Sequence, residues 1–226
     1  MRICAISDLH GVLPKIEPSE LCIIAGDISP LDRQRDDTPM IAWLFGTFLN
    51  WIKEMPCDHV FMVAGNHDFV ASDNYCVMKA LEYLSDWKLS YLQNESELYL
   101  APDGRNIWIY GTPYCHKFGS WAFMEHEFDL EKLYEAIPEN TDILITHDTP
   151  AIGDLDLLQS SKWSTHAGGK ALATAIERIK PRYVFCGHLH TCEDKYMKIN
   201  NTEIYNVSIL DNEYVNVYKP TYVEYD

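Results

Sequence analysis

Six short apolar runs, each the length of a β-strand, alternate with segments of helical periodicity along this chain. The runs are apolar throughout, which is typical of strands that are buried on both faces of a sheet. The longer segments carry apolar residues at i, i+3 and i+4, as amphipathic helices do. The predicted strands are Ile3–Ile6, Leu21–Ala25, Val60–Ala64, Ile107–Tyr110, Ile143–Thr146 and Tyr183–Cys186. The predicted helices are Met40–Lys53, Cys76–Leu84, Leu130–Ala136 and Ala167–Ile179.

The last part of the chain changes to strands at short intervals, predicted at Lys195–Ile199, Glu203–Val207 and Tyr214–Tyr218. Helix-separated strands followed by a strand-rich tail indicate an α/β protein in layers, with at least one mixed sheet. No repeat or Ser/Gly-rich linker divides the 226 residues, and a chain of this length can bury the core of a single domain. We therefore expect one domain over residues 1–226.

Polar side chains follow five of the six predicted strands, at the point where each strand ends. In α/β sheets, ligands bind at the edge formed by the carboxyl ends of the strands. A glycine precedes the polar residue at three of these ends, as expected where the chain turns sharply or packs close to a ligand. The polar residues are Asp8, His10, Asp27, Asn66, His67, Asp68, His147, His188 and His190.

The residue types in this set are those of a metal site. Asp8 and His10 lie two apart, so an extended chain points both side chains the same way, and His188 and His190 repeat this spacing. Carboxylate and imidazole ligands without thiolate suit Mn, Fe or Zn. Two such ions about 3.5–4 Å apart can hold both the attacking and the leaving oxygen of a phosphoryl displacement. Asp27 is the candidate for a carboxylate that bridges them.

The order of the motifs resembles that of the calcineurin-like metallophosphoesterases. It reads Asp-x-His, Gly-Asp, Gly-Asn-His-Asp, a later His, and Gly-His-x-His. The segments Ile109–Tyr114 and Asp142–His147, and the helix that leads to Lys180-Pro181, are similar to one branch of that family. This branch holds the small metallophosphoesterase-domain proteins related to class III cyclic-nucleotide phosphodiesterases. The resemblance implies two mixed β-sheets packed face to face as a sandwich, with helices outside.

The resemblance also implies two divalent metal ions per chain. Manganese is the expected ion, with iron, zinc or magnesium as alternatives. A hydroxide held between the ions would attack phosphorus in line, because metal binding lowers the pKa of water. One ion would be held by Asp8, His10, Asp27 and His190, and the other by Asp27, Asn66, His147 and His188.

Further residues are candidates for catalysis and substrate binding. His67 is not needed as a ligand and lies next to Asn66, so we expect it to stabilise or protonate the leaving oxygen, with Asp68 as the carboxylate that orients it. In one departure from the branch, Asp148-Thr149-Pro150 stands where relatives often have Gly-Pro-Pro. The candidate substrate contacts, which follow strand ends or open a helix, are Arg33, Tyr114, His116 and His166.

The charge of the chain restricts its partners. The chain holds 18 Lys and Arg against 34 Asp and Glu, a formal net charge of −16. Binding to a phosphate backbone requires clustered Lys and Arg, so we expect neither duplex nucleic acid nor a membrane surface as a partner. A small phosphodiester, such as a cyclic or linear nucleotide, is the expected substrate. Seven scattered cysteines without Cys-x-x-Cys favour a reducing cytoplasm over a disulfide framework.

Two alternatives stay open. The same bimetal centre can hydrolyse phosphomonoesters, and nothing in the motifs separates the two activities. A fold can also be kept only for binding partner proteins, as a catalytically silent scaffold. Degenerate members of such families usually lose several ligands, whereas this chain has a residue of the right type at every motif position. An active enzyme is therefore the favoured interpretation.

Overall fold

The computed structural model describes residues 1–159, 164–190, 196–215 and 217–226. Its strands are β1 (Arg2–Ile6), β2 (Ser19–Ala25), β3 (Cys57–Val63), β4 (Leu89–Tyr91), β5 (Glu95–Leu100), β6 (Asn106–Thr112), β7 (Cys115–His116), β8 (Met124–Glu125), β9 (Ile143–Thr146), β10 (Leu157–Gln159), β11 (Ser164–His166), β12 (Tyr183–Cys186), β13 (Tyr196–Ile199), β14 (Thr202–Asn206) and β15 (Thr221–Glu224). Its helices are α1 (Asp37–Trp43), α2 (Leu49–Glu54), α3 (Phe69–Asp73), α4 (Tyr75–Leu84), α5 (Glu127–Glu135) and α6 (Lys170–Ile179). A π-helical segment, Leu44–Phe48, joins α1 to α2.

Two mixed sheets are built around parallel strands. The first has the order β15-β1-β2-β3-β4, in which only β15 runs antiparallel to its neighbour. The second has the order β13-β14-β12-β9-β6-β5, with antiparallel pairs only at its two edges. The short ribbons β7-β8 and β10-β11 lie outside these sheets. In each sheet the parallel inner strands therefore bring their carboxyl ends to one edge.

The two sheets pack face to face, and this explains why the strands are apolar on both sides. Ile3, Ile23 and Phe61 of the first sheet share one buried cluster with Ile145 and Phe185 of the second. Helices α1 to α4 cover the outer face of the first sheet, and α5 with α6 covers the outer face of the second. The predicted pair of mixed sheets with flanking helices is confirmed. None of the helices in the described ranges is long and apolar enough to cross a lipid bilayer.

The segment predicted as one helix, Met40–Lys53, contains a π turn in its middle. Its fully buried residues Met40, Leu44, Phe48 and Ile52 recur every four residues, which is more than the 3.6 of an α-helix. A wider π turn absorbs the excess and keeps these side chains on one face. The pattern of apolar residues therefore predicted the buried face, but a uniform α-helical period was wrong.

The strand-rich tail was predicted only in part. β13 and β14 form where expected, although Lys195 lies outside the described residues. The predicted strand Tyr214–Tyr218 is wrong, because its described residues form only one bridge, from Val217 to Leu210; Asn216 lies outside them. Val217 is 54% exposed and belongs to neither sheet among the described residues. The final strand is β15 instead, whose Val223 reaches the core between the sheets.

Candidate metal centre

The polar residues that follow β1, β2, β3, β9 and β12 converge at the carboxyl edges of both sheets. Three overlapping groups of side chains each bring their ligand atoms within 4.8 Å of one another. The groups are Asp8 with His10 and His190, His10 with Asp27 and His67, and Asp8 with Asp27 and His147. The edge predicted to bind a ligand is therefore lined with closely spaced carboxylate oxygens and imidazole nitrogens.

The backbone at this edge adopts conformations that non-glycine residues rarely do. The φ angles of Asp8, His10, Asp27 and His188 are 55°, 42°, 53° and 71°, all in the left-handed region. Such conformations are costly and occur mainly where the surrounding structure enforces them, which is often at functional sites. Here hydrogen bonds between the loops enforce them: His10 donates its backbone N–H to the carbonyl of Asp27 at 2.9 Å.

Two glycines leave the space that these side chains occupy. Gly26 has a φ of +97°, and a Cβ there would lie 2.5 Å from Nδ1 of His147. A Cβ at Gly187 would collide with the hydroxyl of Ser7 and lie 2.5 Å from Oδ2 of Asp8. The glycines that precede the polar residues in the sequence are therefore required by close approach to the neighbouring loop.

One group of possible ligands surrounds His10. His190 donates from Nδ1 to the carbonyl of Asp211 at 3.1 Å, which leaves its Nε2 free to face Oδ1 of Asp8, also at 3.1 Å. His10 is buried, yet neither of its ring nitrogens has a hydrogen-bond partner among the described residues, and its Nε2 lies 3.7 Å from Oδ2 of Asp27. An unpaired buried imidazole is costly unless it binds an ion. These residues fit a divalent metal.

A second group surrounds Asn66. His147 donates from Nδ1 to the carbonyl of Ala25 at 2.9 Å, so the lone pair of its neutral imidazole is on Nε2. That Nε2 lies 2.9 Å from Oδ1 of Asn66 and 3.4 Å from Oδ2 of Asp27, and Nδ1 of His188 lies 2.8 Å from Oδ1 of Asn66. Atoms that ligate one metal at 2.0–2.2 Å stand about 3 Å apart. The spacing of Oδ1 of Asn66 from the ring nitrogens of His147 and His188 therefore fits a bound cation.

Asp27 connects the two groups through a single oxygen. Its Oδ1 accepts the backbone N–H of His67 at 2.7 Å. Its Oδ2 faces both His10 and His147, at 3.7 Å and 3.4 Å. Because Oδ1 is hydrogen-bonded to the backbone of His67, Oδ2 is the one carboxylate oxygen that the two groups share.

Three of the possible ligands have the ionisation states that bind a cation: His188 and His10 are neutral, and Asp8 is ionised. Burial lowers the pKa of His188 to about 3 and that of His10 to about 4, so both are neutral imidazoles at pH 7. Burial acts to raise the pKa of Asp8, but His190 outweighs it and lowers that pKa to about 2. His147 differs, because it is protonated when no cation is bound. Burial acts to lower its pKa, but the neighbouring carboxylate of Asp27 outweighs burial and raises the pKa of His147 to about 10.

His67 lies at the edge of this cluster, held by contacts that the sequence did not predict. Its Nδ1 is hydrogen-bonded to Oε1 of Gln34, its ring is 4.4 Å from that of Trp121, and its Nε2 lies 3.9 Å from Oδ2 of Asp27. Gln34 comes from the loop after β2 and Trp121 from the loop between β7 and β8. No pattern in the sequence marks these two residues, because only the fold brings their loops to His67.

The predicted role of Asp68 requires a correction. Its buried carboxylate accepts hydrogen bonds from Ser29 (N at 2.9 Å and Oγ at 2.6 Å) and from the backbone N–H of Gly65 at 2.8 Å. These bonds tie the loop after β2 to the loop after β3. Burial raises the pKa of Asp68 to about 6, although the hydrogen bonds act against it. Among the described contacts, Gln34 and not Asp68 is the partner of the His67 ring.

A cleft of about 240 Å³ opens over the cluster. Besides the possible metal ligands and His67, it is lined by Phe118, Trp121, Asn212 and Tyr214. The rings of these aromatic residues contact the imidazoles: Phe118 lies 5.4 Å from His188, and Tyr214 lies 4.8 Å from His10. Phe118 is 59% exposed, so it can contact a molecule that enters the cleft.

Comparison with known proteins identifies the family. Residues 1–192 match the family model described as "Calcineurin-like phosphoesterase". The chain belongs to this family. The possible metal ligands and His67 all fall inside the matched range, whereas Asn212 and Tyr214, which also line the cleft, lie beyond it.

Individual relatives of this chain have varied names. It is 27% identical over 241 residues to human metallophosphoesterase domain-containing protein 1, covering 99% of this chain and 70% of that protein. It is 30% identical over 195 residues to the probable rhamnogalacturonate lyase C of Emericella nidulans, covering 84% of this chain but only 17% of the lyase. A solved structure from Thermus thermophilus, 14% identical, has the same fold with a TM-score of 0.64, covering 93% of this chain and 89% of that one.

Of the four candidate substrate contacts, His116 is the one whose ring lies near that of a possible metal ligand. It donates from Nδ1 to Oδ1 of the fully buried Asp148 at 2.9 Å, and its ring lies 5.9 Å from that of His188. Asp148, at the position where the family branch often has glycine, is therefore the hydrogen-bond partner that holds the His116 ring. The carboxylate is buried, and His116 with its own backbone N–H supplies the hydrogen bonds that burial requires.

None of the four candidates is among the described residues that line the cleft, and the other three have their contacts elsewhere. Arg33 is exposed and faces Asp32 at 3.6 Å. Tyr114 packs against Phe123, with ring centroids 5.5 Å apart. The imidazole of His166 lies 2.8 Å from Asp156, in the ribbon β10-β11. Their places near strand ends in the sequence therefore did not bring their side chains to the cluster.

Proposed function

We propose that residues 1–226 form one domain that hydrolyses phosphoesters with two divalent metal ions. Asp8, His10, Asp27 and His190 would hold one ion; Asp27, Asn66, His147 and His188 would hold the other. The observation that carries this proposal is that two oxygens converge on Nε2 of His147: Oδ1 of Asn66 at 2.9 Å and Oδ2 of Asp27 at 3.4 Å. Manganese is the proposed ion, because oxygen and imidazole ligands suit it.

Bound ions would lower the pKa of water and offset the negative charge of a phosphoryl group. They would also outweigh the charges of Asp8 and Asp27, so an anion can enter this cleft in a chain with a net charge of −16. The orientation of the ligands belongs to the chain itself. The carbonyls of Ala25 and Asp211 accept the Nδ1–H groups of His147 and His190, which fixes the nitrogen that faces the cleft.

His67 is the proposed group that protonates the leaving oxygen. It lines the cleft, and its Nδ1 is occupied by Gln34, so Nε2 is the nitrogen available to substrate. A general acid of this kind contributes most when the leaving group is a poor one. Asp68 supports this role indirectly, because its bonds to Gly65 and Ser29 fix the loop from which His67 extends.

Small phosphodiesters such as cyclic or linear nucleotides are the proposed substrates. The cleft is small, at about 240 Å³, and Phe118, Trp121 and Tyr214 offer aromatic surface to a flat group. The net charge of −16 disfavours a long polyanion. The seven cysteines are scattered and include no Cys-x-x-Cys pair, which supports action in the reducing cytoplasm. Phosphomonoesters are the alternative substrates for the same cluster.

The activity itself is tested with protein that has been purified without chelator and supplemented with manganese. Metal analysis is expected to find about two ions per chain, and bis-p-nitrophenyl phosphate is expected to be hydrolysed well above a blank. Fewer than one ion per chain would contradict the proposed centre. Two bound ions without turnover of any phosphoester would favour the scaffold function, in which the cleft binds a partner protein.

The substrate class is tested by comparing kcat/KM for four compounds. They are a 2′,3′-cyclic nucleotide, a 3′,5′-cyclic nucleotide, p-nitrophenyl phosphate and its bis-ester. We expect the diesters to be preferred, because no cation other than the proposed ions lines the described cleft to neutralise the second charge of a monoester. A monoester preference of about tenfold or more, which is about 1.4 kcal/mol, would refute the diesterase assignment.

A further inference from the structure

The side-chain amide of Gln34 holds the edge of the His67 ring, and a second hydrogen bond fixes the orientation of that amide. Oε1 of Gln34 faces Nδ1 of His67, and Nε2 of the same amide donates to the carbonyl of Leu31 at 3.2 Å. A carbonyl can only accept, so the Leu31 contact requires the NH₂ group, and the amide oxygen must then face the imidazole. An amide oxygen also only accepts. Nδ1 of His67 therefore carries a proton in both the neutral and the cationic ring, and a proton given to a leaving group is the one that the cationic ring holds on Nε2.

The face of the same ring is held by Trp121. The two ring planes are inclined by 31° with centroids 4.4 Å apart. The guanidinium of Arg35 lies 4.9 Å from the centre of the Trp121 ring, and the next residue, Ala122, donates its backbone N–H to the carbonyl of Asn66 at 3.1 Å. Trp121 is thus fixed to the segment that carries His67. Gln34 and Arg35 are neighbours, so one loop fixes both the edge of His67 and the ring that covers its face.

We propose that Gln34 and Trp121 are positioning residues that hold His67 with Nε2 towards the leaving group. This inference rests on the function proposed above. The carboxylate of Asp68, the neighbour of His67 in sequence, is engaged instead with Ser29 and Gly65.

Two substitutions of similar size separate the hydrogen bond from packing. Gln34→Leu removes the acceptor, and Gln34→Glu keeps one at the same distance. For an alkyl phosphodiester, a poor leaving group, Gln34→Leu is expected to lower kcat about tenfold or more, with KM changed less than about twofold. For bis-p-nitrophenyl phosphate, whose leaving group needs no proton, the loss should stay below about threefold. Gln34→Glu should recover most of the activity towards the alkyl diester.

A spectroscopic measurement tests the position of the ring without turnover. Long-range ¹H–¹⁵N correlation on the zinc-loaded protein is expected to show a single His67 tautomer with hydrogen on Nδ1. Gln34→Leu should give a mixture of tautomers, and Trp121→Leu should broaden the His67 ring signals. Gln93→Leu is the matched control, because Gln93 is a glutamine that does not line the described cleft, and it should change neither result.

The outcomes distinguish this inference from the proposed function. An active wild-type enzyme in which Gln34→Leu keeps both the tautomer and the leaving-group dependence would overturn the inference and leave the function standing. A wild-type protein that hydrolyses nothing would remove the function, while the tautomer in the Gln34 variants would still decide whether the amide holds the ring. Equal losses in Gln34→Leu and Gln34→Glu would assign the effect to packing and overturn the inference.

Discussion

Replacing Asp27 by Ala is expected to remove both metal ions and to lower kcat for phosphoester hydrolysis by at least about 10³-fold. The reason is the geometry of one oxygen. Oδ2 of Asp27 faces His10 on one side and His147 on the other, and both imidazoles are buried. Without this carboxylate, each proposed position loses a ligand, and the charge that would hold two adjacent cations is halved.

Metal analysis after dialysis checks this prediction, with the folded state followed by circular dichroism. Asn66→Ala is the informative comparison, because Asn66 belongs to only one of the two groups. It should lose about one ion where Asp27→Ala loses both. Asp129→Asn, at an exposed residue of α5, is the control for removing a carboxylate elsewhere. Two ions retained by Asp27→Ala would show that Asp27 is not the bridge.

The residues at the strand ends could be predicted from the sequence because the fold repeats one rule. Parallel strands deliver their last residues to the same edge, so a polar residue after each apolar run suffices to bring Asp8, Asp27 and His147 together. The apolar runs themselves were readable because both faces of each inner strand are covered. The order of strands and helices predicted layers with at least one mixed sheet, and the pair of sheets was implied by the resemblance to the calcineurin-like metallophosphoesterases.

Contacts between loops could not be predicted in this way. Gln34 and Trp121 belong to loops of no regular pattern. Gln34 follows β2, which pairs with the strand before His67, whereas Trp121 is held there by the hydrogen bond from Ala122 to the carbonyl of Asn66. Adjacency in sequence was misleading for Asp68, whose side chain turns away from His67 towards Ser29. Val217 shows the same limit, since alternating apolar residues in the tail predicted a strand where no sheet edge is available to pair with it.

Replacing His67 by Ala is expected to leave metal content unchanged and to lower kcat by about 10²-fold or more for an alkyl phosphodiester. The proton donor is lost, whereas the proposed ligands keep their contacts. For bis-p-nitrophenyl phosphate the loss should be smaller, because p-nitrophenolate departs without a proton. Metal analysis and kcat for the two substrates check both parts.

The same experiment separates two chemical roles that geometry leaves close together. A ring nitrogen of His67 lies within 4.8 Å of the ligand atoms of His10 and Asp27, so the ring is within the range of a further metal ligand. Nε2 of His67 is 3.9 Å from Oδ2 of Asp27, against 3.7 Å for His10 and 3.4 Å for His147. The metal content of His67→Ala therefore decides between the two roles. If His67→Ala loses metal, or if both substrates slow down equally, His67 acts as a ligand and the leaving oxygen takes its proton from another source.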